Sequence, residues 1–215
     1  VTDPDADTLT VRFYGRPYGG SSSADFSILL LPDTQFYSAE MNGGTAEMFR
    51  AQTDWIVAHR ESLNLAFVAH VGDIVNNADV LTQWDNARDA MYALEDTALT
   101  HLPYGIPYSI VPGNHDQWPY ATSDPDTTTK SYNLRFGADH FAGRSYYGGH
   151  YGTNNDSHFE LFSAFSLDFL CISLEYGMTT DASVLGWADS VLKAHPARQG
   201  ILVHHNLIGT GEQAA

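Results

Sequence analysis

Apolar runs of strand length break off, one after another, into short polar clusters along this chain. FSILLL stops at Pro32 and opens into Asp33 and Gln35; LAFVAHV leads into Gly72 and Asp73; YSIV runs into Pro112, Gly113, Asn114, His115 and Asp116; GILV ends at His204 and His205. Runs this short read as buried strands, because a helix needs about ten residues or more. Between the first two, Met48, Phe49, Gln52, Trp55, Ile56 and His59 recur at helical spacing and predict a helix over 45–60. Between the next two, Leu81, Trp84, Ala87, Arg88, Met91 and Leu94 predict another over 80–94. Strand, helix, strand, helix, strand at this spacing predicts parallel pairing with right-handed crossovers, an α/β class.

The rest of the chain is less regular. Residues 1–25 are polar and turn-rich and read as an arm or linker, with a strand candidate at Leu9–Tyr14; the domain itself is expected over 26–215. No basic start followed by an apolar stretch marks a secretion signal in that arm. Residues 113–157 are rich in Gly, Pro, Asn, Asp, Ser, Thr and Tyr, and a connection of that length is usually functional or disordered. Beyond it, HFELFSAF and LDFLCISLEY predict a hairpin, 182–194 a helix and 200–203 a last strand.

Charge narrows the partners. Ten Lys plus Arg against 26 Asp plus Glu give a formal charge of −16, which repels nucleic acid and anionic lipid, so no nucleic-acid partner is expected. No run approaches the roughly 20 apolar residues that cross a bilayer, so no transmembrane segment is expected. With Cys171 as its only cysteine the chain makes no internal disulfide. Its ten histidines are the informative excess, since imidazole is the commonest metal ligand.

In open α/β sheets the ligand site lies beyond the carboxyl ends of the strands. The polar clusters are therefore expected on one rim of a parallel sheet. Singly each is weak: Gly-Asp after a strand is usually a turn, as is Gly-Asn, and paired histidines usually pack or face solvent. Their coincidence at strand ends carries the argument. Oxygen and nitrogen donors in that number suit two borderline divalent ions better than one tetrahedral zinc.

Asp33-Thr34-Gln35, Gly72-Asp73, Gly113-Asn114-His115-Asp116 and His204, in that order, resemble the signature of the calcineurin-like metallophosphoesterases: D-x-H, G-D, G-N-H-D or E, a His after a strand, then G-H-x-H. LPDTQFYS, HVGDIVNN, SYYGGHY and LDFLCISLEYG are similar to a bacterial, often exported branch. The resemblance implies a four-layer α-β-β-α sandwich and, with the lysine-poor acidic composition, a secreted or periplasmic location. Two features depart from the pattern. Gln35, a neutral ligand weaker than imidazole, stands where most relatives carry histidine. No G-H-x-H precedes Ala215, so the expectation is a domain lacking the last helix, strand and G-H-x-H segment.

The resemblance implies two divalent or trivalent transition-metal ions (Fe, Mn, Zn, Co or Ni), with Asp73 bridging, Asp33 and Gln35 on the first and Asn114 and His204 on the second. It implies hydrolysis of a small phosphorylated substrate, monoester or diester, by a metal-bridging hydroxide. His115 would stabilise charge or protonate the leaving group, with Asp116 fixing its tautomer. Candidates for substrate or supporting contacts are His205, His150, Asn76, Asn77, His70 and Trp118, and Trp118 and Tyr120 could wall the cleft. His70 lies three residues before Asp73 and, by strand alternation, is expected to face the other way. The alternatives are a metal-binding or interaction domain with weak or lost catalysis, and a mononuclear esterase using only Asn114 and His204.

Overall fold

The computed structural model describes residues 25–122 and 128–206; the Leu9–Tyr14 candidate lies outside them. Strands β1 (Ser27–Leu31), β2 (Leu65–His70) and β3 (Tyr108–Ile110) form a parallel sheet in that order. Leu31 pairs with His70 and His70 with Ile110, so the three carboxyl ends finish level. β2 is buried along nearly its whole length, which is why it reads as a continuous apolar run instead of an alternating one. A short helix α1 (Gln35–Ser38) follows β1, and the crossovers are α2 (Ala46–His59) and α3 (Leu81–Met91). Thr45 starts α2 by accepting a hydrogen bond from the Met48 amide. α4 (Thr97–Thr100) leads into β3.

The second sheet has the order β4 (Tyr147–His150), β5 (His158–Ala164), β6 (Leu167–Leu174), β7 (Gln199–His204). The predicted hairpin is β5–β6, antiparallel, whereas β7 lies parallel to β6. Its connection is α7 (Ala182–Ala194), capped by Asp181, whose side chain accepts from the Ser183 and Val184 amides. This corrects the single-rim expectation: β6, α7 and β7 form their own crossover unit, so the two histidines arrive from the second sheet. The long 113–157 connection also holds more structure than its composition suggests, with α5 (Lys130–Phe136), α6 (Ala138–Phe141) and β4 inside it.

Three apolar clusters make four layers. One joins the first sheet to α2 and α3 through Phe49, Ile56, Trp84, Ala87 and Met91. A second lies between the sheets, with Phe67, Ala69 and Val111 against Phe162, Phe169, Cys171 and Val203. The Phe67 and Phe162 rings stack there at 4.4 Å, inclined by 5°. The third seats α7 on the second sheet through Val184, Ala188 and Val191. Each buried side chain of this size contributes about 1.5–3 kcal/mol, so this cluster is a main bond between the two sheets. Among the described residues no helix is long and apolar enough to cross a membrane.

Candidate metal centre

Where β1, β2 and β7 end, Asp33, Asp73 and His205 converge, with potential ligand atoms all within 4.8 Å of one another. His205 Nε2 lies 3.2 Å from Asp73 Oδ2, and its Nδ1 lies 3.9 Å from Asp33 Oδ1 and donates to the Val71 carbonyl at 2.9 Å. Burial alone would disfavour a charged imidazole. The hydrogen bond to Asp73 and the charges of Asp73 and Asp33 overcome that and raise His205 to about 9. Burial also raises Asp33, and Asp73 adds to the shift while His205 opposes it.

Two glycines make this approach possible. A Cβ on Gly113 would fall 2.2 Å from Asp73 Oδ1, and one on Gly72, at φ +105°, would fall 2.6 Å from His205 Nδ1. Asp73 itself adopts φ +51°, a left-handed conformation uncommon outside glycine. It is held there from two sides: Oδ1 accepts from the His115 amide at 2.9 Å, and its carbonyl accepts from the Thr34 amide at 3.1 Å.

Asp116 does not hold His115. It is buried, and its carboxylate accepts from the backbone amides of Gly113 (2.8 Å), Val75 (3.0 Å) and Ile74 (3.2 Å), tying the Gly72-Asp73 loop to the Gly113-Asn114 loop. Burial and the neighbouring Asp73 raise its proton affinity, while the three amide donors oppose them. The expected tautomer lock comes instead from the main chain. His115 Nδ1 donates to the Asn76 carbonyl at 2.8 Å, leaving Nε2 as the free ring nitrogen.

Of the two histidines at the end of β7, the one that meets the carboxylates is the second, not the expected first. His205 joins the carboxylates, whereas His204 is buried, its Nδ1 accepts from the Asn206 amide at 3.1 Å and its Nε2 has no hydrogen-bond partner. Adjacent residues at a strand end point to opposite sides, and the pairing of His204 with Leu174 sets which one faces Asp73. His70 is a brace behind the centre: Nε2 bonds Thr34 Oγ1 at 2.9 Å and Nδ1 accepts from the Gly72 amide at 3.3 Å. Burial lowers it to about 3, so it stays neutral.

Gln35 Oε1 is buried without a hydrogen-bond partner, and Asn114 Nδ2 donates to the Tyr120 hydroxyl at 2.7 Å. Asn76 and Asn77 serve as turn residues, both amides donating to Gln83 Oε1 at 2.9 and 2.8 Å. His150 is not brought to the cleft. It lies on β4, at the opposite edge of the second sheet from β7, and its Nδ1 bonds the Tyr147 hydroxyl at 2.8 Å. Trp118 is exposed on the loop beyond His115, its amide donating to the Thr128 carbonyl at 2.8 Å. A polar cleft of about 350 Å³ opens over the centre, lined by Asp33, Val71, Asn114, Tyr176, His205 and Asn206. Tyr176 and Asn206 were missed in the sequence; the available signal was their place just after β6 and β7.

The donor set fits a transition metal. Carboxylate, imidazole and amide oxygen are hard to borderline ligands, and an orphaned Gln35 oxygen is the kind of buried acceptor a cation satisfies. Sandwich and centre together define an α/β protein with a candidate metal site at the strand ends. The family model for calcineurin-like phosphoesterases matches residues 26–213, and the chain belongs to that family. It is 32% identical over 183 residues to the uncharacterized protein YvnB of Bacillus subtilis (strain 168), a match covering 85% of this chain and 13% of that protein. In fold it is similar to the purple acid phosphatase PPD1 from yellow lupin seeds (TM-score 0.50, 16% identity), over 90% of this chain and 32% of that one. The chain thus spans a small part of the length of both.

Proposed function

We propose that the chain hydrolyses small phosphoric esters, monoester or diester, with two transition-metal ions held at this centre. The observation that carries the reading is the convergence of Asp33, Asp73 and His205 beneath a cleft whose lining contains no Lys or Arg. An anionic ester would be repelled by two carboxylates unless cations stood between them. The ions, when bound, supply that charge and activate water near neutral pH.

The chain's own residues divide the remaining work. Asp73, fixed by the His115 amide and pressed against Gly113, has Oδ2 against His205 Nε2, and a carboxylate has the two oxygens that two cations would need. Asp33 and His205, which converge with Asp73, would hold the metal, and Gln35 Oε1 and Asn114 Oδ1 would supply further oxygen donors. With the ring doubly protonated, His115 would give the proton on Nε2 to the departing oxygen, while the Nδ1 proton stays with the Asn76 carbonyl that holds the ring. The single three-ligand cluster among the described residues and the neutral Gln35 favour a second reading, a mononuclear or weakly active centre.

Metal content per chain, together with turnover of an aryl phosphate monoester and diester by the full parent protein, tests both. About two metals per chain, with activity lost in Asp73→Ala and Asn114→Ala, is the expected result. One metal with turnover would favour the mononuclear reading, and stoichiometric metal with no turnover a binding domain.

A further inference from the structure

Tyr120 touches two of these residues at once. Its hydroxyl accepts from Asn114 Nδ2 at 2.7 Å, and its ring stands 4.7 Å from the His115 ring at 70°, an edge-to-face contact. The loop is folded back to make this possible, since the Ala121 amide donates to the Asn114 carbonyl at 3.0 Å. Core filling does not account for the residue, which is 56% exposed.

The chemistry of a carboxamide gives the contact a purpose. Asn114 has one end that can ligate a cation, Oδ1, and one that cannot, Nδ2, and the two ends are nearly the same size. With Nδ2 committed to the Tyr120 hydroxyl, Oδ1 is the end left to face a metal. We propose that Tyr120 is a positioning residue of the centre: its hydroxyl sets the orientation of the Asn114 carboxamide, and its ring sets the plane of the His115 imidazole. The inference rests on the metal-dependent reading above. The two contacts separate by substitution, because phenylalanine keeps the ring and removes only the hydroxyl.

The test is Mn²⁺ binding by titration calorimetry on the full chain, with the melting temperature of the metal-free protein measured alongside. Tyr120→Phe is expected to weaken Mn²⁺ binding by about tenfold, the lower end of the cost of losing a ligand-orienting partner. Its melting temperature is expected to stay unchanged, and it should add nothing in an Asn114→Ala background. Tyr120→Ala, which removes the ring as well as the hydroxyl, should weaken Mn²⁺ binding at least as much and lower kcat further than Tyr120→Phe does; if the alanine variant does not fold, the phenylalanine variant carries the test. Wild-type affinity in Tyr120→Phe, alongside a loss in Asn114→Ala, would overturn the role of Tyr120 and leave the metal reading standing. Wild-type affinity in Asn114→Ala, or no Mn²⁺ binding by the unaltered chain, would overturn both.

Discussion

His205 meets Asp73 through Nε2 at 3.2 Å while its Nδ1 is committed to the Val71 carbonyl, so the ring holds a proton where a metal ion would bind. With its pKa raised to about 9, chiefly by Asp73 against the opposing effect of burial, His205 is protonated at neutral pH. A metal bound at Nε2 must displace that proton, so affinity should rise with pH up to about 9. Calorimetry at pH 7 in buffers of different ionisation heat should show about one proton released per His205-bound metal. His205→Ala should abolish the release and His204→Ala should keep it. The reverse pattern would make His204 the ligand.

Gly113 is expected to be intolerant of any side chain. An added Cβ would lie 2.2 Å from Asp73 Oδ1 and 2.4 Å from Asp73 N, and the backbone nitrogen cannot swing aside as a side-chain tip can. Gly113→Ala should abolish metal binding and lower stability by about 1–3 kcal/mol, the usual cost of overpacking. Gly186 in α7 has nothing within 4 Å of its added Cβ, so Gly186→Ala is the control and should stabilise by about 0.5–1 kcal/mol. Urea unfolding of both variants reads the contrast.

Asp116 gives a prediction that separates bracing from catalysis. Both of its oxygens accept from backbone amides, so Asp116→Asn must turn an NH₂ group toward an N–H donor. Stability should fall by about 1–3 kcal/mol for the buried donor left unpaired. The tautomer of His115 should be unaffected, because its Nδ1 answers to Asn76. Denaturant unfolding, with imidazole resonances assigned by NMR, checks both halves; a changed His115 tautomer would restore the role the sequence suggested for Asp116.

Much of the scaffold was legible because it depends on local pattern. The run FSILLL and the helical recurrences from Met48 and Leu81 report burial directly, and the elements fall at Ser27–Leu31, Ala46–His59 and Leu81–Met91. That Asp33 and Asp73 would meet was also readable, since both follow parallel strands whose ends lie level. What could not be read depends on tertiary register. Whether His204 or His205 faces Asp73 is set by the pairing of β7 with β6, and a shift of one residue would exchange them. Two of the three amides that donate to Asp116, those of Ile74 and Val75, and the carbonyl that holds His115 belong to a loop some forty positions away in the chain, where no sequence pattern points.

Glu95 predicts the acid limb of stability. Burial would raise its pKa, but hydrogen bonds from His140 (2.7 Å), Arg144 and Tyr108 outweigh burial and lower it below the ordinary 4.5. A carboxyl with a lowered folded-state pKa adds stability that is complete above its unfolded value and lost as pH falls through the folded one. The contribution is therefore present above about pH 4.5 and disappears below it. Melting temperature against pH should fall less steeply below 4.5 in Glu95→Gln, from a lower plateau at neutral pH. An unchanged acid limb would show that other carboxyls dominate it.

Gln35 should show opposite effects in the metal-free and metal-loaded protein. Its Oε1 is buried with no hydrogen-bond donor, an arrangement costing about 1–3 kcal/mol in the absence of a cation. Gln35→Leu removes that orphan at similar volume, so the metal-free variant should melt at or above the temperature of the parent. With metal the order should invert, because a bound cation stabilises the folded state according to its affinity and leucine offers it no donor. Gln35→His should give the largest metal-induced rise in melting temperature, since imidazole is the stronger ligand. Thermal unfolding with chelator and with excess Mn²⁺ reads all three proteins. Equal metal-induced shifts in Gln35→Leu and the parent would mean that the Gln35 oxygen ligates no ion.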